Sequence, residues 1–169
     1  MSDKPTIDIT LDGAPRTIEA GSTGALLLQD AVKKDGVVAM RVNGEPWDLE
    51  RQVPAGAVVE PITLASEDGL NILRHSATHV MAQAVQEMFP GVDLGIGPFI
   101  TDGFYYDFGA IDAVTPEMLR EIEKRMKRIV KEGQRFVRRD ITEAEGREEL
   151  ADQPYKLELI TTKGAGAEG

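Results

Sequence analysis

Three of the five Asx-Gly dipeptides, Asp12-Gly13, Asn43-Gly44 and Asp102-Gly103, each separate two runs of strand-forming residues. Such a pair accepts the positive φ that a two-residue hairpin turn demands, so each one fixes a strand reversal where it stands. The first joins a strand at 6–11 to a return at 15–19. The second joins a strand at 37–42 to a short arm at 47–49. Between them Gly21-Ser22-Thr23 offers a helix N-cap, and Leu26, Leu27, Ala31 and Val32 have the spacing of a short amphipathic helix that Gly36 ends. After Pro54-Ala55-Gly56 a last strand runs over 58–64. The order ββαββ plus a late strand predicts a small sheet wrapped round one helix, a β-grasp pattern, over residues 1–64.

The stretch 65–69, Ala65-Ser66-Glu67-Asp68-Gly69, is short, polar and rich in capping residues, and reads as a linker with Ser66 or Asp68 as the cap of the next helix. That helix is long, expected from Leu70 to Phe89 and stopped by Pro90-Gly91. At 100° per residue Leu73, Ala77, Val80, Ala84 and Met88 form its apolar stripe. His75 and His79 project from the other side, beside Ala82 and Gln86. The third Asx-Gly turn lies in the most aromatic segment. Strand periodicity there puts Phe104, Tyr106 and Phe108 on one face, with Tyr105 and Asp107 on the other in a fold-supporting role. Thr115-Pro116-Glu117 opens another helix, whose buried stripe is read as Met118, Leu119, Ile122, Met126, Ile129 and Val130, with Gly133 as its end. A strand continues beyond it. Thr142-Glu143-Ala144-Glu145 is a capping box for a short helix to about Ala151, and the alternating segment 155–160 after Pro154 reads as a strand. Residues 161–169 read as a truncated loop or tail. The fold class is α+β in two domains, 1–64 and 70–160, the second a long histidine-bearing helix on an antiparallel sheet.

Composition bounds what these elements do. The 169 residues are 41% hydrophobic, enough for a core, and carry no cysteine, which excludes disulfides and thiolate metal sites. No apolar run approaches the roughly 20 residues needed to span a bilayer, and the N-terminal residues lack signal-peptide character, so a soluble cytoplasmic protein is expected, with no membrane partner. A formal charge of −10 opposes electrostatic wrapping of nucleic acid by the whole molecule. Between Arg120 and Arg139, however, nine basic residues face three acidic ones. That island, Lys124, Arg125, Lys127 and Arg128 above all, is a candidate nucleic-acid contact or a solvated helix face.

His75 and His79 are the only histidines. At i and i+4 they share a helix face and can converge on one metal ion or one water, since imidazole is both a zinc ligand and a base near neutral pH. The spacing equally fits two surface histidines hydrogen-bonded to each other. With no acid between them this is not the His-Glu-x-x-His zinc motif, and two ligands make an incomplete metal set.

A wider constellation surrounds the pair. Ile9-Thr10-Leu11-Asp12-Gly13, Arg41-Val42-Asn43-Gly44-Glu45 and Pro61-Ile62-Thr63 resemble the TGS domain, a ubiquitin-like docking module. Arg74-His75-Ser76-Ala77-Thr78-His79, Gly97-Pro98-Phe99-Ile100, Gly103-Phe104-Tyr105-Tyr106-Asp107-Phe108, Glu123-Lys124-Arg125-Met126 and Tyr155-Lys156 come in the order found in the second N-terminal domain of bacterial threonyl-tRNA synthetases, which they resemble. The resemblance covers about residues 6–160.

It implies an editing domain that hydrolyses serine wrongly esterified to threonine tRNA. His75 and His79 would line that site, His75 organising water or the terminal ribose hydroxyl. Lys156 would contact the ribose or polarise the water, and Tyr106 would shape the pocket for serine. The resemblance also implies a parent ligase that uses ATP and Mg, holds a zinc in its core and dimerises through that core. No cofactor is expected for the present chain by itself. One departure stands out: the family completes its editing pocket with a Cys-x-x-x-His segment, and this chain has neither a cysteine nor a third histidine. Three readings are open. They are an N-terminal fragment of a threonyl-tRNA synthetase with half an editing site, a freestanding non-catalytic tRNA- or protein-binding module, and a small metallohydrolase built on the two histidines.

Overall fold

The computed structural model describes residues 5–109, 111, 113–135 and 137–163. Its architecture is α+β, and the chain divides into two units, Met1–Leu73 and Arg74–Gly169.

In the first unit β1 (Thr6–Leu11), β2 (Ala14–Glu19), β3 (Val37–Val42), β4 (Glu45–Trp47) and β5 (Val58–Thr63) form one sheet in the order β2-β1-β5-β3-β4. β1 and β5 run parallel at its centre, and the other pairs are antiparallel. Both early turns follow their dipeptides. Among the described residues Asp12 and Asn43 are the two non-glycine residues with positive φ, each followed by a glycine that also has positive φ, the backbone of a hairpin turn that matches strand twist. Because Val42 pairs with Glu45 across Asn43-Gly44, the partner arm is 45–47 and not 47–49 as the hydrophobic pattern suggested. The helix is broken into α1 (Gly24–Leu27) and α2 (Gln29–Lys34), hinged at Leu28. The break turns Leu28 into the core and leaves Leu26 and Val32 exposed, contrary to the expected stripe. The core gathers Ile9, Leu28, Val37, Met40, Val42, Val53, Ala57 and Val59.

Helix α3 spans Glu67–Met88 and begins three residues earlier than expected. Ser66 is its cap: its Oγ accepts from Gly69 N at 3.1 Å and donates to Thr63 O at 2.7 Å. Asp68 pairs with Arg41 of β3, and a Cβ at Gly69 would lie 2.0 Å from Thr63 O. The expected linker at 65–69 is therefore a cap and first turn packed on the end of the sheet, and the division into units falls inside α3.

In the second unit, residues 94–108 form a narrow hairpin whose paired strands, β6 (Phe99–Ile100) and β7 (Gly103–Phe104), are two residues each. Asp107 N donates to Ile96 O and Gly95 N to Asp107 O, which carries the ladder back to a Leu94–Phe108 bridge. Ile100 pairs with Gly103, so the turn proper is Thr101-Asp102 and Gly103 already belongs to the strand. Helices α4 (Pro116–Glu132), α5 (Glu143–Glu149) and α6 (Pro154–Lys163) complete the unit. Thr115 caps α4, and Gly133 ends it in the left-handed region. Leu119 and Val130, placed in its buried stripe from sequence, are 58% and 67% exposed; Met118, Ile122, Met126 and Ile129 face inward.

The segment 155–160 is helix and not strand, and no strand follows α4 among the described residues. Pro154 stands at the first helical position, and the half-buried residues Gln153, Lys156, Leu157 and Ile160 recur at helical spacing, a period that the Tyr155, Leu157, Leu159 alternation disguised. Thr161 to Lys163 continue that helix, and 164–169 of the expected tail lie outside the described residues. Among the described residues no helix is long and apolar enough to cross a membrane.

Candidate functional site

From Leu70 to Met88 the sequence contains neither glycine nor proline, so α3 runs uninterrupted and holds His75 and His79 one turn apart. Their Nε2 atoms are 3.0 Å apart and the rings meet edge to face with centroids at 4.7 Å. At that separation one imidazole donates its ring N–H and the other accepts. The face buried beneath them is Thr78, Ala82 and Val85, with Ala84, whereas Leu73 is 49% exposed. The apolar stripe thus lies closer to the histidines than the helical projection suggested. Thr78 Oγ1 donates back to Arg74 O at 2.8 Å, which lets a hydroxyl sit buried at 1% exposure.

The hairpin supplies the next group. Tyr106 stacks on Phe108 at 4.7 Å, as the alternation predicted. Tyr105 stands 46% exposed, while Asp107 contributes its backbone to the ladder. From α6 the Lys156 ammonium lies over the Tyr106 ring, 5.8 Å from its centroid. His79 is held below its ordinary pKa, chiefly by burial, then by the charges of His75 and Lys156. Burial also pushes the Tyr106 phenol up and the Lys156 ammonium down. Four of the expected residues, His75, His79, Tyr106 and Lys156, are therefore linked into one cluster with a neutral imidazole favoured at its centre. Among the described residues no third histidine, cysteine or carboxylate joins the pair.

The basic residues of α4 are arranged differently. Arg125 Nε meets Glu121 at 3.1 Å, Lys124 meets Glu121 at 3.8 Å, Lys127 meets Glu123 at 2.6 Å, and Arg128 meets Glu132 at 2.9 Å. Arg125 and Arg128 also reach Glu87 of α3. Each of the four expected tRNA contacts thus already faces a carboxylate, and a phosphate would have to displace one.

Comparison with known proteins gives the chain its family. It is 66% identical over 167 residues to a threonine–tRNA ligase of Cutibacterium acnes, an alignment covering 97% of this chain and 24% of the relative. Against threonine–tRNA ligases of Thermobifida fusca and Streptomyces avermitilis the identities are 54% and 56%, over 99% and 90% of this chain and 25% and 23% of those proteins. The chain belongs with the threonine–tRNA ligases. It corresponds to their N-terminal quarter and spans about a quarter of the length of the curated relatives it matches. No protein-family model matches it.

Two hollows lie in the second unit. The larger, about 460 Å³, runs between the hairpin at Gly95, Asp107 and Phe108 and α6 at Tyr155, Glu158 and Thr162, and contains none of the expected site residues. The smaller, about 300 Å³, has His79 on its rim, with Gln83 of α3 and Val130, Gln134 and Arg135 at the end of α4. His79 is the one expected site residue that lines either of them; His75, Tyr106 and Lys156 line neither. Gln83 was missed from sequence, although continuing the series 75, 79 by one more turn finds it. Glu87, one turn further, was missed for the same reason.

Proposed function

We propose that the second unit forms one wall of an editing pocket that receives a seryl ester on the 3′ end of threonine tRNA, and that the first unit is a TGS docking domain. The whole protein is then the ATP- and Mg-dependent ligase that charges threonine tRNA in translation in the cytoplasm, with zinc and dimer contacts in its catalytic core. The observation that carries the editing reading is the convergence of His75 and His79 on α3, Tyr106 on the hairpin and Lys156 on α6, three elements far apart in sequence.

The need for such a pocket is physical. Serine lacks one methyl of threonine, and a binding pocket discriminates against a missing methylene by only about 10 to 200-fold, so a second, hydrolytic site is required. In hydrolysis a water oxygen bonds to the ester carbonyl carbon, the water gives up a proton, the carbon–oxygen bond to the ribose breaks, and the ribose oxygen takes a proton. A neutral imidazole is suited to hold that proton, and the His75–His79 contact offers a place to pass it on. Lys156, its pKa lowered, lies where it contacts the ribose or polarises the water, and Tyr106 closes the space around the serine side chain. Residues 1–169 include no Cys-x-x-x-His segment, so by themselves they supply one wall of the pocket and are expected to bind without efficient turnover.

The test uses adenosine carrying serine through a 3′-amide, which cannot hydrolyse. The protein should bind it, and His75→Ala and Tyr106→Ala should each weaken binding tenfold or more. Efficient hydrolysis of the corresponding seryl-tRNA would overturn the claim of a half-built site. Binding of tRNA that ignores His75 and Tyr106 would favour a non-catalytic tRNA- or protein-binding module, and no binding at all would remove the editing reading.

A further inference from the structure

The hairpin approaches α3 most closely at Gly97. A Cβ there would lie 2.3 Å from Tyr106 Cδ2 and 2.5 Å from Thr78 Cγ2, far inside the separation at which two carbons rest against each other. Neither neighbour yields without cost. Thr78 is 1% exposed and tied to Arg74 O, while the Tyr106 ring is backed by Phe108. Conformation does not explain the glycine, since Gly97 is not among the residues with positive φ. Space does.

We propose that Gly97 is a positioning residue of the pocket: its missing side chain lets the Tyr106 ring close onto Thr78, directly beside His79, and so fixes the spacing between the hairpin wall and the histidine wall. This rests on the reading that His75, His79, Tyr106 and Lys156 receive a seryl ester. An added methyl would drive the ring away from α3 and carry with it the surface over which Lys156 sits. A displacement of about 1 Å in such a constellation can cost on the order of a hundredfold in function. The wider gap would also admit threonine more readily, so Gly97 bears on specificity as well as affinity.

Two readouts separate the inference from the reading on which it rests. The first is the proton resonance of the Thr78 γ-methyl, which the adjacent Tyr106 ring shifts whether or not any ligand binds. The second is affinity for the 3′-serylamide and 3′-threonylamide of adenosine. Gly95→Ala is the control, because its Cβ would crowd Asp107 O at 2.8 Å in the same hairpin without meeting Tyr106 or Thr78. Gly97→Ala should abolish the ring shift of the methyl, weaken the serylamide about tenfold or more and narrow the seryl-to-threonyl ratio, whereas Gly95→Ala should keep the shift and the ratio. Adding Thr78→Ser to Gly97→Ala removes one of the two colliding groups, gives the added methyl room on the α3 side, and should recover part of the lost affinity.

The inference is overturned if Gly97→Ala leaves the methyl shift intact, if Gly95→Ala harms binding equally, or if Thr78→Ser brings no recovery. Should Gly97→Ala fail to fold and the double variant fail with it, Gly97 serves the fold alone, and the inference is again overturned. A wild-type protein that binds neither amide removes the editing reading, and with it the specificity role, while the methyl shift still decides whether Gly97 seats Tyr106.

Discussion

The sheet of the first unit and the helices of the second bury different kinds of side chain. In the first, eight apolar residues from β1, β3, β5, the helix hinge and the connecting loops close on one another, and Met40 and Val59 are wholly inaccessible. In the second, the fully buried apolar residues are small or few, Ala82, Ala84, Val85, Val92 and Ile129 among the described residues, and a threonine sits among them. Partial desolvation there falls on groups that titrate: Tyr106 and Lys156 are half-buried and His79 stands nearer the surface, yet desolvation is the largest cause of the pKa shift of each. Withdrawing ionisable groups from water opposes folding, so a unit arranged this way is shaped by something other than stability. The contrast separates a packing module from a chemical one within a single chain.

The sharpest way to break that contrast is to damage the packing module. Met40→Ala should cost about 2–5 kcal/mol, the range for removing a large core side chain. The methionine lies against α1 so closely that a Cβ at Gly24 would stand 2.5 Å from its sulfur. Trp47, the single tryptophan, sits in β4 with the Arg51 guanidinium 3.4 Å above its ring, so urea unfolding followed by tryptophan fluorescence reports this unit. The His75 and His79 ring resonances should persist at denaturant concentrations where the Trp47 signal has already gone. If both signals are lost together, the two units are one cooperative body and the comparison fails.

The converse substitution acts on chemistry and spares stability. His75→Ala should raise the dissociation constant for the serylamide about tenfold, equivalent to about 1.4 kcal/mol, while shifting unfolding by no more than about 0.5 kcal/mol. Binding titration and urea unfolding on one preparation check both halves. A loss of stability comparable to that of Met40→Ala would make the pair a structural hydrogen bond, which was the plain reading of its spacing.

Legibility in the sequence divides along the same line. The hairpins at Asp12-Gly13 and Asn43-Gly44 could be read because their turns require a backbone that few other residues adopt, and the turn then sets the register. The helix α6 could not be read from alternation, because six residues of Tyr-Lys-Leu-Glu-Leu-Ile fit both periods, and only the proline before them tells the two apart. The exposed Leu119 and Val130 show a related limit. A helical projection finds a stripe about 100° wide, but only the neighbouring elements decide which edge of it is covered. For the site, the histidine spacing was visible, and the family resemblance pointed to Tyr106 and Lys156. Gly97 and Thr78 stood within the quoted motifs, but their close approach was not legible, since a glycine chosen for space rather than for φ does not name its neighbours in a single sequence.

Acidification probes the chemical unit more gently. His79 has a pKa in the fold below its ordinary 6.5, so the unfolded chain binds more protons than the folded one at pH values under 6.5. Stability then rises with pH across that window and is lost as pH falls through it toward the folded pKa, with a slope of less than one proton. Urea unfolding of the second unit, followed through helical circular dichroism at several pH values from 5 to 8, about the range where histidine titrates, should show this slope. His79→Gln should flatten it. A slope that survives the substitution would assign the pH response to another group.

The smallest effect expected is the most diagnostic in sign. Lys156 has its pKa lowered by burial, so the fold carries the cost of partly desolvating the ammonium. Its attraction to the Tyr106 ring at 5.8 Å offsets part of the cost, and its remaining access to water screens the rest. Lys156→Met keeps the length and the apolar stem while removing the charge, and should therefore raise the stability of the second unit by roughly a few tenths of a kcal/mol. The same variant should lose affinity for the serylamide. A substitution that strengthens the fold while weakening the ligand marks a residue held against the preference of packing, and no position in the core around Met40 should behave that way. If Lys156→Met instead destabilises the second unit, the lysine is a structural member of α6, and the chemical cluster reduces to the two imidazoles and Tyr106.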